Sequence, residues 1–365
     1  MDKKLKVIVS GGGTGGHVFP AIAIANAIKN INPNAEFLFV GAKGRIEMEK
    51  VPKAGYPIEG LWISGFQRRL TWQNVLFPVK LISSLVKSFF VVNRFKPDVA
   101  VGVGGYASGP LLQMAAWKGI PTLIQEQNSY PGVTNQLLGK SVDRVCVVYD
   151  KLERYFPENK IVMTGNPVRS LIVELKGDRT EAITYFNLNP TKKTLFVTGG
   201  SLGAKGINEG IAEHLGKLVA QNVQVIWQTG DSYIDWAKKI SQPYGDAVKA
   251  TAFVDRMDLA YIAADAVVSR AGGTISELCI IGKPVILMPS PNVTEDHQTA
   301  NAKALVDKNA ALMVNDDEAK EKLLGAVQLV LFNDEKRQML SDNIKKLAVT
   351  DAANQIAKEV LKLVR

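Results

Sequence analysis

Short apolar runs alternate with longer segments of helical pattern along the chain. The first run, Leu5–Ser10, leads through glycines into an alanine- and isoleucine-rich segment that favours a helix. Later runs are also nearly all apolar, which is typical of strands buried on both faces. In the first half of the chain they are 35–41, 98–105, 121–128, 143–149 and 160–168. The alternation predicts a parallel sheet covered by helices on both faces.

The same pattern restarts at residue 193, where a strand, a glycine turn and a helix again follow one another. Because 365 residues exceed what one hydrophobic core usually organises, we expect two doubly wound α/β domains in tandem. Strand-like sequence gives way to a polar, charged stretch after Asn166-Pro167. We therefore place the domain boundary there, with 1–166 in the first domain and 167–341 in the second. A final helix at about 342–365 could pack on either domain.

Four glycine-rich turns stand at the ends of predicted strands. Gly11–Gly16 satisfies the pattern G-x-G-x-x-G, and further turns lie at 104–105, 199–203 and 272–273. Backbone amides at such a helix start can bind phosphate, although a tight crossing that merely requires glycine is the alternative for any single turn. The carboxyl ends of parallel strands line the ligand crevice, so with two sheets we expect a crevice between the domains.

Two nucleotide-binding classes are disfavoured by the residues around these turns. A nicotinamide enzyme needs an acidic residue at the end of its second strand, but that strand ends in FVGAK at 39–43. A P-loop needs a leading glycine before Gly139-Lys140-Ser141, and Thr134 stands at that position. Neither dinucleotide binding nor ATP hydrolysis is therefore expected.

Two side chains near the turns suit catalysis or sugar-nucleotide binding. His17 in the first turn is placed for acid/base chemistry, with a packing or capping role as the open alternative. Thr274-Ile275-Ser276-Glu277 fits a capping box, yet Glu277 could also accept both hydroxyls of a ribose. No Asp-x-Asp pair occurs to hold a metal on a diphosphate, so helix N-termini and Arg169 would neutralise it.

The net charge of +9 favours a polyanionic partner: nucleic acid, an anionic lipid surface or a phosphorylated substrate. No nucleic-acid-binding module is recognisable. The helical stretch 79–92 carries an apolar face that is either core or membrane-facing. The region 75–92 that contains it is too polar and too short to span a bilayer. The face comprises Leu81, Ile82, Leu85, Val86, Phe89 and Phe90. Nearby aromatic and basic residues that suit an anionic headgroup layer are Trp62, Phe66, Arg68, Arg69, Trp72, Phe77 and Trp117.

Seven ordered motifs resemble those of the MurG family, bacterial transferases that add N-acetylglucosamine (GlcNAc) to lipid I to make lipid II. The motifs are GGTGGHVFPA at 12–21, VGGYASGP at 103–110, QEQN at 125–128, GNPVR at 165–169, GGSLGAKGIN at 199–208, SRAGGTISEL at 269–278 and DHQTANA at 296–302. The resemblance covers nearly the whole chain. It implies a GT-B fold, in which two Rossmann-like domains face a cleft and the last helix, 342–365, returns to the N-terminal domain.

The resemblance also implies a set of site residues. UDP-GlcNAc would lie mainly on the C-terminal domain, and the acceptor on the N-terminal domain. The expected contacts are Phe253 and Val254 to the uracil, Glu277 to the ribose, Ser201 and Arg169 to the diphosphate, Gln298 to the sugar, and Thr14, Gly15, Gly16, Tyr106, Asn128 and Thr274 as further substrate-binding residues. His17 is the expected general base with Glu126 as the reserve. No cofactor and no metal are expected. Gln125 stands where the family often has His.

The implied reaction is an inverting transfer from UDP-GlcNAc to the C4 hydroxyl of the muramoyl sugar of lipid I. The expected partners are these two substrates, an anionic membrane surface and proteins of cell-wall synthesis and division, but not nucleic acid. A peripheral location on the cytoplasmic face of the inner membrane follows. Three alternatives stay open at this point: an isomerase similar to UDP-GlcNAc 2-epimerases, another UDP-sugar-dependent glycolipid transferase, and a nucleotide-binding scaffold without chemistry.

Overall fold

The computed structural model describes residues 4–65, 76–200, 202–291, 293 and 296–364, with only the backbone of Ser170. The chain divides into two α/β units. The N-terminal unit contains the residues up to Arg169 together with those from Thr350 onward, and the C-terminal unit spans Ser170–Val349.

The N-terminal unit is built on a seven-stranded parallel sheet. Its strands are β1 Lys6–Ser10, β2 Glu36–Ala42, β3 Ile58–Leu61, β4 Val99–Gly102, β5 Thr122–Glu126, β6 Arg144–Val147 and β7 Ile161–Met163. Its described helices are α1 Gly15–Ile31, α2 Glu47–Lys53, α3 Phe77–Phe95, α4 Ser108–Trp117 and α5 Val133–Leu138, joined by a last helix, α15, from Ala352 to Leu363. The strand order is β3-β2-β1-β4-β5-β6-β7.

The C-terminal unit is built on a six-stranded parallel sheet. Its strands are β8 Lys193–Thr198, β9 Val223–Gln228, β10 Val248–Thr251, β11 Ala266–Ser269, β12 Val285–Leu287 and β13 Leu312–Met313. Its described helices are α6 Ser170–Val173, α7 Arg179–Phe186, α8 Lys205–Ala220, α9 Ile234–Ser241, α10 Met257–Ala263, α11 Thr274–Ile281, α12 His297–Val306, α13 Ala319–Phe332 and α14 Asp334–Lys345. The strand order is β10-β9-β8-β11-β12-β13.

Both sheets reverse their chain order beside the first strand of the unit. β1 lies between β2 and β4, and β8 lies between β9 and β11. The four glycine turns follow β1, β4, β8 and β11, which confirms their predicted position at strand ends. Each unit therefore has a pair of glycine turns at its topological switch point, where ligands bind in open α/β sheets.

The apolar strands form much of the hydrophobic core of each unit. Central strands such as β4, with the pattern VAVG, are buried along their whole length. Helices cover both faces because such strands leave no polar face for water. The edge strands β3 and β13 were not predicted, because Glu59 and Gly60 interrupt the apolar pattern of β3 and β13 has only two residues.

The C-terminal segment differs from the prediction of one helix over 342–365. It forms two helices, α14 and α15, separated by 346–351. Leu340 of α14 packs in the core of the C-terminal unit, whereas Ile356 and Val360 of α15 pack in the core of the N-terminal unit beside α1. The chain is not helical between the two, over 346–351, and of these helices only α15 belongs to the N-terminal unit.

Candidate active site

The first glycine turn joins β1 to α1 and carries His17. Gly13 adopts a φ of +89°, a left-handed conformation that favours glycine. The carbonyl of Thr14 accepts the N–H groups of His17 and Val18 at 3.1 and 3.2 Å. The Thr14 hydroxyl lies 3.2 Å from Nδ1 of the His17 ring. One nitrogen of the imidazole is thus held by the residue that opens the helix.

The second glycine turn, after β4, packs directly on the first. A Cβ atom at Gly105 would lie 2.4 Å from the carbonyl oxygen of Gly12, and one at Gly104 would lie 2.9 Å from Nε2 of His17. Side chains at these two positions would therefore push the turns apart. The half-buried His17 ring lies against the Gly104 backbone because glycine leaves the space. This close approach explains why both turns at the switch point are glycine-rich.

Glu47 is a buried residue of this site that sequence reasoning missed. Its side chain is fully buried, and its two oxygens accept the N–H groups of Gly13 and Ala42 at 2.8 and 2.9 Å. The second strand does lack a carboxylate at its end, as the sequence indicated, but Glu47 at the start of α2 reaches the same turn. No local signal marks this role, because the segment EMEKVPK has the composition of an exposed helix.

Glu126 ends β5 and holds the loop that follows it. Its carboxylate accepts the backbone and side-chain N–H groups of Asn128, the N–H of Gly132 and the side-chain amide of Asn135, at 2.9–3.1 Å. Burial raises the pKa of the Glu126 carboxyl, while these hydrogen bonds act in the opposite direction. The engagement of both oxygens favours a positioning role for Glu126, with Asn128 as the residue it positions.

Two other predicted residues of the N-terminal unit contact a loop and the helix α1. The half-exposed ring of Tyr106 packs on Gly65, where a Cβ atom would lie 2.1 Å from Cζ of the tyrosine. The guanidinium of Arg169 lies 4.9 Å from the centre of the Phe19 ring on α1. Arg169, which the predicted boundary assigns to the second domain, therefore belongs to the N-terminal unit.

Gln228 organises the loops of the C-terminal unit and was also missed. It ends β9, is buried, and its amide group donates to the Thr198 hydroxyl and the Gly200 carbonyl at 3.1 and 3.0 Å. Its oxygen accepts the N–H of Val254 at 2.9 Å. One side chain therefore ties the third glycine turn to the segment of Phe253 and Val254. Ser201, predicted in that turn, lies outside the described residues.

The fourth glycine turn leads into α11, which carries Thr274 and Glu277. The helix begins at Thr274 with Gly273 as its N-cap, so Thr274 does not occupy the cap position that a capping box requires. Glu277 instead accepts the hydroxyl of the buried Tyr261 at 3.2 Å. This contact orients the carboxylate in the first turns of the helix.

Gln298 connects the fourth turn to the loop after β12. Its oxygen accepts the N–H of Ser290 at 2.9 Å, and its side-chain nitrogen would lie 3.7 Å from a Cβ atom at Gly272. Arg270 strengthens the same connection by donating to the carbonyls of Met288 and Pro289 at 2.9 and 3.0 Å. The turn and the loop are thus held as one surface.

The structure therefore gathers the predicted site residues into two groups, each at the carboxyl ends of one sheet. In the N-terminal unit the group follows β1, β4 and β5, apart from Arg169, and comprises Thr14, Gly15, Gly16, His17, Tyr106, Glu126 and Asn128. In the C-terminal unit the group follows β10, β11 and β12, and comprises Phe253, Val254, Thr274, Glu277 and Gln298.

Comparison with known proteins agrees with this geometry. Residues 7–147 match the glycosyltransferase family 28 N-terminal domain, and residues 194–356 match the glycosyltransferase family 28 C-terminal domain. The chain is 52% identical over 363 residues to the UDP-N-acetylglucosamine--N-acetylmuramyl-(pentapeptide) pyrophosphoryl-undecaprenol N-acetylglucosamine transferase of Flavobacterium psychrophilum, covering 99% of this chain and 98% of that protein.

Solved structures share the architecture. MurG of Acinetobacter baumannii is 26% identical, with a TM-score of 0.75 over 99% of this chain and 100% of that one. UDP-GlcNAc 2-epimerase from Neisseria meningitidis, bound to UDP-GlcNAc, has a TM-score of 0.68 over 99% and 100% of the two chains. At 15% identity the second likeness shows the fold alone. With two parallel-sheet α/β units, both glycosyltransferase family 28 domains and a full-length relative at 52% identity, the chain belongs to the MurG family of GT-B glycosyltransferases.

Proposed function

We propose that this protein transfers GlcNAc from UDP-GlcNAc to the C4 hydroxyl of the muramoyl sugar of lipid I, with inversion, to form lipid II. The observation that carries the proposal is the placement of His17 between two glycine turns at the switch point of the N-terminal unit. The proposal is further supported by the full-length relatedness to transferases named for this reaction.

His17 acts as the general base in this proposal. When Nδ1 carries the ring proton and donates it to the Thr14 hydroxyl, Nε2 keeps its lone pair and accepts the proton of the C4 hydroxyl. The C4 oxygen then forms the bond to the anomeric carbon while the bond from that carbon to the diphosphate oxygen breaks. UDP leaves from the opposite face, so the configuration at the anomeric carbon inverts.

The C-terminal unit supplies the donor site in the proposal. The helices α8 and α11 both begin at glycine turns, and their N-termini would stabilise the negative charge that develops on UDP. Glu277, oriented by Tyr261, would accept the ribose hydroxyls, and Gln298 would bind hydroxyls of the sugar. Arg169, which belongs to the N-terminal unit, would add a positive charge for the diphosphate. Because these groups supply the neutralisation, we propose a reaction that needs no divalent metal.

We further propose that α3 attaches the protein to the cytoplasmic face of an anionic membrane. The buried face of this helix includes the small residues Ser84 and Ser88, whereas Ile82 and Phe90 are 62% and 64% exposed. Trp117, on the neighbouring helix α4, is 66% exposed. Much of the stripe that could have been core thus faces outward, which favours the membrane-facing interpretation.

Two basic residues of α3, Lys80 and Lys87, form hydrogen bonds within the protein. Lys80 donates to the Ser64 hydroxyl and Lys87 to the Gly60 carbonyl, so the exposed apolar side chains supply most of the membrane contact in the proposal. Phe66, Arg68, Arg69 and Trp72 of the predicted patch lie outside the described residues. Among the described helices, none is long and apolar enough to cross a membrane.

One assay tests the reaction, its acceptor and its metal independence together. The protein is incubated with UDP-GlcNAc and a short-chain lipid I analogue, with and without EDTA, and UDP and the disaccharide product are measured. We expect UDP release that depends on the acceptor, a β-1,4 product and no effect of EDTA. An epimerase would convert UDP-GlcNAc into its C2 epimer without acceptor and form no disaccharide, and a scaffold would bind UDP-GlcNAc without turnover. Either result would overturn the proposal.

A further inference from the structure

The turn that carries His17 is clamped between two partners from distant parts of the N-terminal unit. On one side the backbone of Gly105 approaches the carbonyl of Gly12. On the other side the buried carboxylate of Glu47 accepts the N–H of Gly13. The first clamp consists of backbone alone, whereas the second depends on one side chain and its charge.

We propose that Glu47 is a positioning residue for the transfer reaction, acting through the turn 11–14 on His17; this inference rests on the proposed function. Glu47 binds two N–H groups at once, those of Gly13 in the turn and Ala42 at the end of β2. Charge-assisted hydrogen bonds of this kind are shorter and stronger than neutral ones. The carboxylate therefore fixes the turn to the sheet at the residue with positive φ.

The glycines next to Glu47 leave the space that its side chain occupies. A Cβ atom at Gly12 would lie 2.2 Å from Oε1 of Glu47, and one at Gly41 would lie 2.4 Å from its Cγ. Either substitution would displace the carboxylate, since real Cβ atoms do not approach that closely. Two neighbouring segments thus lack side chains where the Glu47 side chain passes between them.

The path from Glu47 to the base is short. Gly13, whose N–H the carboxylate binds, directly precedes Thr14, and Thr14 contacts His17 through both its hydroxyl and its carbonyl. A shift of the turn would move the start of α1 together with the Thr14 hydroxyl that contacts the His17 imidazole. A misplacement of about 1 Å can lower a rate about 100-fold, so the positioning affects turnover more than donor affinity.

The contact with Glu47 also disfavours this turn as a nucleotide diphosphate site. The N–H of Gly13 is already satisfied by a fixed negative charge. A diphosphate approaching Gly13 would compete with that carboxylate and be repelled by it. The turn has the glycine spacing of a dinucleotide fingerprint, but the anion that its Gly13 N–H binds is the carboxylate of Glu47.

The test is the variant Glu47→Gln, which keeps the volume but offers an amide group to one of the two N–H donors. We expect kcat to fall at least about tenfold with an unchanged dissociation constant for UDP. Hydrogen exchange of the peptide covering 11–17, measured without substrates, should accelerate. Asp143→Asn is the matched control, because Asp143 accepts the N–H of Thr122 at the opposite end of the same sheet, although it is more exposed.

The outcomes separate this inference from the proposed function. If Glu47→Gln matches the wild type in hydrogen exchange of 11–17 and in turnover, Glu47 is not a positioning residue. The same conclusion follows if Glu47→Gln and Asp143→Asn lose UDP binding and turnover to the same extent, because the loss is then a general effect of removing a carboxylate. If the wild-type protein itself does not use the lipid I analogue, the proposed function fails, and the exchange measurement still decides whether Glu47 holds the turn. Should Glu47→Gln not fold, Gly12→Ala, which brings a methyl group against the carboxylate, carries the same expectations.

Discussion

The Thr14 hydroxyl lies 3.2 Å from Nδ1 of His17, three residues later in the chain and in the first turn of α1. Because α1 begins at Gly15, this contact joins the residue before the helix to a side chain of its first turn. A hydroxyl can either donate to or accept from an imidazole, so Thr14 is able to hold the tautomer in which Nε2 is the acceptor.

Replacing His17 by Ala should abolish most of the turnover and leave UDP binding intact. Loss of a general base typically costs about 10²- to 10⁴-fold in rate, and the UDP site is proposed to lie in the other unit. The change in kcat is measured with the lipid I analogue, and the UDP dissociation constant by calorimetry. Thr14→Val should show a smaller loss in kcat, while Thr14→Ser, which keeps the hydroxyl, should stay near the wild type. Turnover near the wild-type rate in His17→Ala would remove His17 as the base.

Replacing Gln228 by Leu should weaken UDP binding by disconnecting the third glycine turn from Val254. The variant loses three hydrogen bonds and should lower the free energy of unfolding by about 2 kcal/mol. Gln224→Leu is a matched control, because Gln224 makes three hydrogen bonds at the other end of the same strand. We expect comparable destabilisation in both variants by denaturant titration but weaker UDP binding only in Gln228→Leu. Equal UDP affinities in the two variants would contradict this role.

Replacing Ile82 and Phe90 together by Ser should reduce binding to anionic vesicles. Both side chains are exposed on α3, and burying each would contribute about 1.5–3 kcal/mol at full burial, so we expect a loss of at least about tenfold. The control is the double variant Leu329→Ser and Phe332→Ser, whose side chains are exposed on α13 of the other unit. Cosedimentation with vesicles measures the effect. A similar loss in the control pair would show that general hydrophobicity, rather than α3, drives binding.

The two cysteines should resist alkylation in the native protein. Burial raises the pKa of the Cys146 and Cys279 thiols to about 12, so the reactive thiolate is nearly absent at pH 8. Iodoacetamide should leave both unmodified in the folded state and label both in urea, as read by mass spectrometry. Rapid labelling of either thiol in the folded protein at pH 8 would show that its surroundings open to solvent.

The sequence by itself determined the order of strands, glycine turns and helices, and the presence of two α/β units. This information is local: an apolar run of five residues followed by glycines already specifies a buried strand and the turn that leaves it. The positions of His17 and Glu277 followed because each lies within a few residues of such a turn.

Only the tertiary structure decided which side chains hold those turns and which face of α3 is buried. Glu47 lies 34 residues from the N–H of Gly13, and Gln228 lies 26 residues from the N–H of Val254. Such pairs leave no periodic signal, because their partners meet only when neighbouring strands align at one edge of a sheet. An apolar stripe is likewise the same in sequence whether it packs on a core or faces a membrane, and the burial of Ser84 and Ser88 on α3 is visible only in the fold.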